Sequence, residues 1–225
     1  PTLITLFSDI LLNSEFTSEE FDKLVKQNMS GLAASMDDPD EIASNVSSVM
    51  NFGSKHTYGE LMTEETLSNI SLEDCKAFYD TYFSPNGSYL AIVGDITLDE
   101  AKVMLEKHLS SWEVKSYENA IYDMPSAPSK NEVSLVNKAG AVQSVINITY
   151  PVALHPASDD ALKVKVLNNI LGGGSSARLF RNLREDKAYT YGAYSSLSAD
   201  ELGAEFVASA KVRNEVTDSA IVEFF

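Results

Sequence analysis

Cysteine is nearly absent: the 225 residues hold one, Cys75. A lone thiol forms no internal disulfide and no cysteine-rich zinc site. Basic residues are scarce as well, 17 Lys and Arg against 33 Asp and Glu, for a formal charge of −16. So acidic a chain lacks the basic surface a duplex binder needs to displace counterions, and no nucleic-acid partner is expected. No apolar run is long enough to span a bilayer, and no basic leader precedes the first apolar residues. The three histidines, His56, His108 and His155, have no partner at metal-ligand spacing. Neither H-E-x-x-H nor its inverse H-x-x-E-H occurs, so no metal site is expected in this chain. Short-period repeats and low-complexity tracts are missing too.

What is present reads as a globular α+β chain. Apolar residues make up 44% and charged residues 22%, close to globular averages. The length allows one large domain or two modest ones. Thr17 with Glu20, Ser71 with Asp74 and Thr97 with Glu100 have the spacing of capping boxes. Apolar residues at helical spacing follow each: Phe21, Leu24, Val25, Met29 and Leu32; Phe78, Tyr79 and Tyr82; Ala101, Met104, Leu105 and Leu109. Asp37-Asp38-Pro39 starts a further helix that Gly53 ends. Pro85-Asn86-Gly87 is a turn, and Tyr89-Leu90-Ala91-Ile92-Val93 after it reads as a buried strand.

From Glu113 to Lys130 the texture turns polar, with Pro125 and Pro128. This divides the chain into a mostly helical sub-lobe with one strand (1–116), a linker (117–130) and a second α+β sub-lobe (131–225). In the second, Glu132 to Asn137 and Val142 to Tyr150 read as strands, Val142, Ile146, Ile148 and Tyr150 sharing one face and Gln143, Asn147 and Thr149 the other. Asp159 to Leu171 reads as a helix apolar on most sides, hence deeply buried. Gly172-Gly173-Gly174 ends it, and Ser175-Ser176 opens another helix through Leu183. Strands from Thr190 to Ser198 and from Ala204 to Val212 follow. Segregated helices and strands favour α+β, with antiparallel or mixed sheets packed against helices. Both ends read as cut within an element: Leu3, Ile4, Leu6, Phe7 and Ile10 already form an apolar helix face behind Pro1. Val216, Ala220, Ile221 and Phe224 stop without a cap. The expectation is a fragment of a longer chain.

Few residues carry chemistry by type and spacing. The glycine run before a helix lacks the Lys-Ser or Lys-Thr of a phosphate loop, and fits a turn where backbone passes closely. Asn28, Asn45, Asn69, Asn86 and Asn147 match the glycosylation triplet at about the frequency chance allows. Arg178 and Arg181 on the same helix as Arg184 form a basic stripe, whose bland reading is neutralisation of the acidic surroundings. Arg184 ends that helix and Tyr191 begins a strand, so a guanidinium and a phenol brought together there would grip a carbonyl oxygen. The bland alternative is a helix-end arginine beside a half-buried strand tyrosine.

The order of motifs resembles the inverted-zincin (pitrilysin/insulinase-type) metallopeptidases. The resemblance is carried by Tyr79-x-x-Tyr82-Phe83-Ser84-Pro85-Asn86 and Ala91-Ile92-Val93-Gly94-Asp95-Ile96. Gln143-Ser144, the run Leu167 to Phe180, and Arg184 followed by Tyr191 complete it. It implies tandem α+β halves that close around a peptide, zinc being held in one half, while the other supplies an arginine and a tyrosine to the substrate. After the entry Phe16-Thr17-Ser18-Glu19-Glu20-Phe21, Leu24 and Gly31 stand where the resemblance would require zinc-side glutamates. The chain thus resembles the non-catalytic, substrate-binding half, inactive alone, with Arg184 and Tyr191 as substrate-binding residues. Its expected partners are a zinc-binding catalytic half, in the same polypeptide or a separate subunit, and a peptide. The expected compartment is the bacterial envelope or periplasm ahead of the cytoplasm. The alternative is a structural or interaction subunit of the processing-peptidase core-protein type.

Overall fold

The computed structural model describes residues 2–118 and 120–225. Pro1, and Asn119 within the expected linker, lie outside the described residues. In chain order the helices are α1 (Thr2–Leu12), α2 (Ser18–Ser35), α3 (Pro39–Phe52), α4 (Glu64–Ser68), α5 (Leu72–Tyr82) and α6 (Leu98–Leu109). Strand β1 (Gln143–Val152), α7 (Asp160–Leu171), α8 (Arg178–Phe180), a π-helical turn (Arg181–Asp186), β2 (Thr190–Leu197), β3 (Ala204–Arg213) and α9 (Thr217–Phe224) follow. The chain falls into two compact units, residues 1–31 with 63–120, and residues 32–62 with 121–225.

The first unit is helical, and its helix starts obey local chemistry. Ser71 and Asp74, and Thr97 and Glu100, exchange the reciprocal bonds of capping boxes at the heads of α5 and α6. Those bonds hold both carboxyls below the ordinary range. Tyr79 Oη donates to Leu11 O at 2.5 Å, and its ring lies 5.4 Å from that of Phe16. Ser84, fully buried, accepts from Lys115 N at 2.8 Å, while Trp112 Nε1 donates to Phe83 O at 3.2 Å. The expected strand Tyr89–Val93 does not form: the segment is irregular, and Val93 is 98% exposed. A strand needs a neighbour to take its backbone hydrogen bonds, and this unit has no strand among the described residues.

The second unit is built on a three-stranded antiparallel sheet in the order β1-β3-β2. Gln143 stands opposite Arg213, and Val152 opposite Ala204. Alternation sends Ala204, Ala208, Ala210 and Val212 of β3 inward. Small β3 residues let Leu179, Leu183 and Ala220 close over the sheet, with Ile146 and Ala193 completing the core. As the alternation of β1 predicts, Ile146 and Ile148 join that core, whereas Val142, just before the strand, and Tyr150 are exposed. Helix α3 lies against β1. The expected strand Glu132–Asn137 is irregular and exposed, and is not part of the three-stranded sheet.

The expectation that α7 is deeply buried is also corrected. It has no buried residue, and Leu162, Val166, Leu167 and Ile170 are exposed. It is attached through Leu171, which packs against the core, and through Asn168, whose Nδ2 donates to Ser195 O at 2.9 Å and whose Oδ1 accepts from Ser195 Oγ at 2.7 Å. Gly172 follows, its carbonyl accepting from Ser195 N at 2.9 Å. A Cβ on Gly172 would sit 2.3 Å from Ser195 N, so the glycine turn is the close backbone approach its composition suggests.

At the far end of the β2–β3 hairpin, His56 is buried and held by both ring nitrogens. Nδ1 stands 3.1 Å from Tyr58 N, an amide that can only donate, so Nδ1 accepts and Nε2 donates to Leu202 O at 3.0 Å. Phe52 stacks on the imidazole at 5.1 Å. Nearby, Asn51 Nδ2 donates to Glu205 Oε1. Burial pushes the Glu205 carboxyl above the ordinary range, against the Asn51 hydrogen bond, which lowers it. A carboxyl raised in the native state binds its proton more tightly there than when unfolded. Stability is therefore lost as pH rises from the ordinary carboxylate value through the raised one, and stays lost at neutral pH. Glu205→Gln keeps an acceptor for Asn51 and removes the charge. Calorimetry across pH is expected to show a higher Tm at pH 7 and a flatter decline over that window. A lower Tm with an unchanged profile would mean that the ionised carboxylate contributes stability.

Residues 110–142 contain no helix or strand among those described. Lys115 is pinned to the turn at Ser84, whereas 126–131 are exposed throughout. Limited trypsin digestion is expected to cut first after Lys130, giving fragments 1–130 and 131–225 that remain associated through α3 and β1. A first cut between 160 and 213 would contradict the division of the chain at this linker.

Candidate functional site

Arg184 and Tyr191 come together at one corner of the second unit. The chain leaves α8 through the π-turn, closed by Lys187 N donating to Asn182 O at 2.9 Å. Ala188 then takes φ 53°, a left-handed conformation that alanine seldom adopts. Its carbonyl accepts from Arg213 Nη1 at 2.8 Å, and Tyr189 N donates back to Leu183 O at 3.0 Å. Strain of this kind persists only where the surroundings hold it. The turn is fastened to α9 as well, because Glu223 accepts from Asn182 Nδ2 at 2.8 Å and pairs with Lys187 Nζ at 2.9 Å. Those two bonds hold the Glu223 carboxyl below its ordinary range and Lys187 above its own. The contribution of the Glu223 carboxylate is present above the usual carboxylate value and lost as pH falls through the lowered one.

Strand β2 starts with a β-bulge. Thr190 pairs with Val212 and Ala193 with Ala210, so Tyr191 and Gly192 together oppose Lys211. Thr190 Oγ1 donates to Lys211 O at 2.6 Å and accepts from Gly192 N at 3.1 Å, tying the bulge shut. The extra residue reverses the inward phase from Thr190 to Ala193 and Ser195. Tyr191 is thereby turned outward and is 82% exposed. The Arg184 guanidinium lies 4.9 Å from the Tyr191 ring centroid, and Nη1 reaches Thr190 O at 3.4 Å. The corner thus presents a stacked cation and a phenol to solvent, donors suited to an oxygen that carries or develops negative charge.

Of the remaining candidates, Arg178 and Arg181 are exposed on the approach to this corner. His155 accepts from Ala157 N at 3.1 Å, His56 is committed as described, and Leu24 and Gly31 offer no donor atoms to a metal. Among the described residues, no group of three or more His, Cys, Asp or Glu is placed to hold a metal ion. No helix among them is long and apolar enough to cross a membrane. No sequence pattern marks the supports of the corner, Ala188, Thr190, Arg213 and Glu223. Gly192 was the available signal, since a glycine inside a strand marks a bulge.

An antiparallel sheet covered by helices, with an arginine–tyrosine corner open to solvent, defines an α+β module. Residues 69–225 match the family model of the peptidase M16 inactive domain, and the chain belongs to that family. This is the pitrilysin-type family whose motifs the sequence resembles. The chain is 27% identical over 200 residues to an uncharacterized zinc protease, YmxG, of Bacillus subtilis (strain 168), covering 88% of this chain and 47% of the relative. It is 24% identical over 193 residues to a protein of Helicobacter pylori named as a non-peptidase homolog, covering 85% of this chain and 44% of that one. The crystal structure of a peptidase M16 inactive domain from Pseudomonas fluorescens superposes with a TM-score of 0.86 at 20% identity, over 99% of this chain and 53% of that one. The chain therefore spans about half the length of the curated relatives it matches.

Proposed function

We propose that this chain belongs to the non-catalytic half of a zinc-dependent endopeptidase and holds the peptide while a separate zinc-binding half hydrolyses it. The observation that carries this reading is the Arg184 guanidinium stacked 4.9 Å from the exposed Tyr191 ring on a doubly braced corner. Zinc would supply Lewis-acid activation of water in the other half, and among the described residues of this chain no group of His, Cys, Asp or Glu is placed to hold it. The part played here is to donate hydrogen bonds from Arg184 and Tyr191 to a peptide carbonyl and to keep water out when the halves meet. Closure around the peptide and the partner half are inferred from the family. A peptide carrying a photoactivatable residue, irradiated with the intact two-half protein, should label the segment 184–194. Labelling confined to residues outside it would overturn the reading.

A second reading, a structural subunit without proteolytic role, is favoured by the non-peptidase name of the Helicobacter pylori relative. It predicts no peptide cleavage by the intact protein and no labelling at the corner.

A further inference from the structure

The 33 Asp and Glu are spread along the chain, yet none falls between residues 161 and 184. That stretch carries Lys163, Lys165, Arg178, Arg181 and Arg184. Asp160 and Glu185 bound it. Carboxylates outnumber bases nearly two to one overall, and the cations around this stretch are mostly paired. Lys163 is bound to Asp160 at 2.6 Å, Lys187 to Glu223 at 2.9 Å, Lys211 to Asp40 at 2.5 Å and Arg213 to Glu215 at 2.8 Å. Arg178 and Arg181 are exposed and have no carboxylate partner among the described residues. Arg184 lies on Tyr191 instead. Gly173, Ser175 and Ser176, just before the first arginine, are exposed and add no bulk or opposing charge.

We infer that Arg178 and Arg181 form a subsite for an acidic stretch of the bound peptide, a few residues from the point held by Arg184 and Tyr191. This rests on the peptide-holding reading and gives it a substrate class. The net charge of the whole chain does not prevent it. At physiological ionic strength charges are screened beyond about 8 Å, so a docked side chain senses the local guanidinium groups rather than the distant carboxylates. The spacing fits as well. Six residues of helix between Arg178 and Arg184 rise about 9 Å at most, the length of roughly three residues of extended peptide. Arginine suits the task, because its planar fork accepts a carboxylate in two parallel hydrogen bonds.

The test uses the intact protein and three fluorescein-labelled peptides sharing one uncharged centre, flanked by Asp and Glu, by Ser and Asn, or by Lys. Anisotropy titrations at low salt should show the acidic-flanked peptide binding about tenfold more tightly than the neutral one, as expected for two exposed charge pairs. That ratio should shrink as salt is raised. In Arg178→Gln/Arg181→Gln the ratio should fall to near one, and in Arg178→Glu/Arg181→Glu it should invert in favour of the Lys-flanked peptide. Equal affinities in the wild type, no binding of any peptide, or a preference that survives charge reversal would each overturn the inference. Single-stranded DNA binding as tightly as the acidic peptide, and lost in the same variants, would reassign the patch to polyanions in general. Failure here is separable from failure of the holding reading. Turnover measured on Arg184→Ala and Tyr191→Phe tests that reading without reference to flanking charge.

Discussion

If the corner holds the peptide as proposed, replacing Arg184 with alanine, or Tyr191 with phenylalanine, in the intact two-half protein is expected to lower kcat about 10²-fold, the loss typical of one oxyanion donor. The geometry says why the effect should fall on turnover. Tyr191 is 82% exposed and its hydroxyl makes no hydrogen bond among the described residues, so removing that hydroxyl uncovers no cavity. The ring stays in place for the guanidinium to stack on. Arg184 loses one stacking contact and one long bond to Thr190 O at 3.4 Å. An exposed cation–π pair is worth about 0.5–1 kcal/mol, so Tm should move by only a few degrees in Arg184→Ala. A donor that acts mainly in the transition state lowers kcat and kcat/KM together and leaves KM nearly unchanged. If the pair only braces the helix–strand corner, the reverse is expected: normal turnover with a lower Tm. The double variant is the decisive case, because undiminished cleavage by it would remove both residues from the site.

The largest effect on stability is expected at Leu183. Its side chain is fully buried, on the π-turn one residue before Arg184 and in the core beneath the sheet. Leu183→Ala removes three carbon atoms from a site fastened on two sides, by Tyr189 N to its own carbonyl and by Glu223 to its neighbour Asn182. Such a site collapses little around a cavity, so the loss should lie near the middle of the usual range, about 3 kcal/mol. For a chain of this size that corresponds to a fall in Tm of about 6–12 °C. Denaturant titration should show the midpoint falling with its slope unchanged. Peptide turnover should fall as well, since the corner that orients Arg184 loses its footing. A loss under about 1 kcal/mol would mean that the turn is not held by the core beneath it.

Much of this protein was legible along the chain. The capping pairs Ser71–Asp74 and Thr97–Glu100, the helix after Asp38-Pro39, and the three strands of the sheet follow from local chemistry and periodicity, which act between residues a few positions apart. The family was legible too, because its motifs are short runs such as Leu167 to Phe180 and the seven-residue step from Arg184 to Tyr191. Tyr89–Val93 and Glu132–Asn137 have strand composition without strand structure. Composition records only a preference for a pleated, half-buried surface, and the ladder needs a neighbour that no local pattern supplies. For helix α7 the apolar residues suggested burial on most sides, while the structure packs it along one side that includes Asn168 and Leu171.

The amino-acid order by itself placed most of the helices, the three strands of the sheet and the glycine turn, and it spells out no zinc-ligand motif. It also placed Arg184 and Tyr191 on either side of a short connection. That they meet was decided only in three dimensions. A π-turn, one left-handed alanine and one bulge residue each alter the direction of a side chain by a fraction of a turn, and none has a periodic signature. Their sum turns Tyr191 out of the sheet and under the guanidinium. The reason lies in Thr190, Arg213 and Glu223, whose hydrogen bonds to backbone and side chains distant in sequence hold a conformation that local preference alone would abandon.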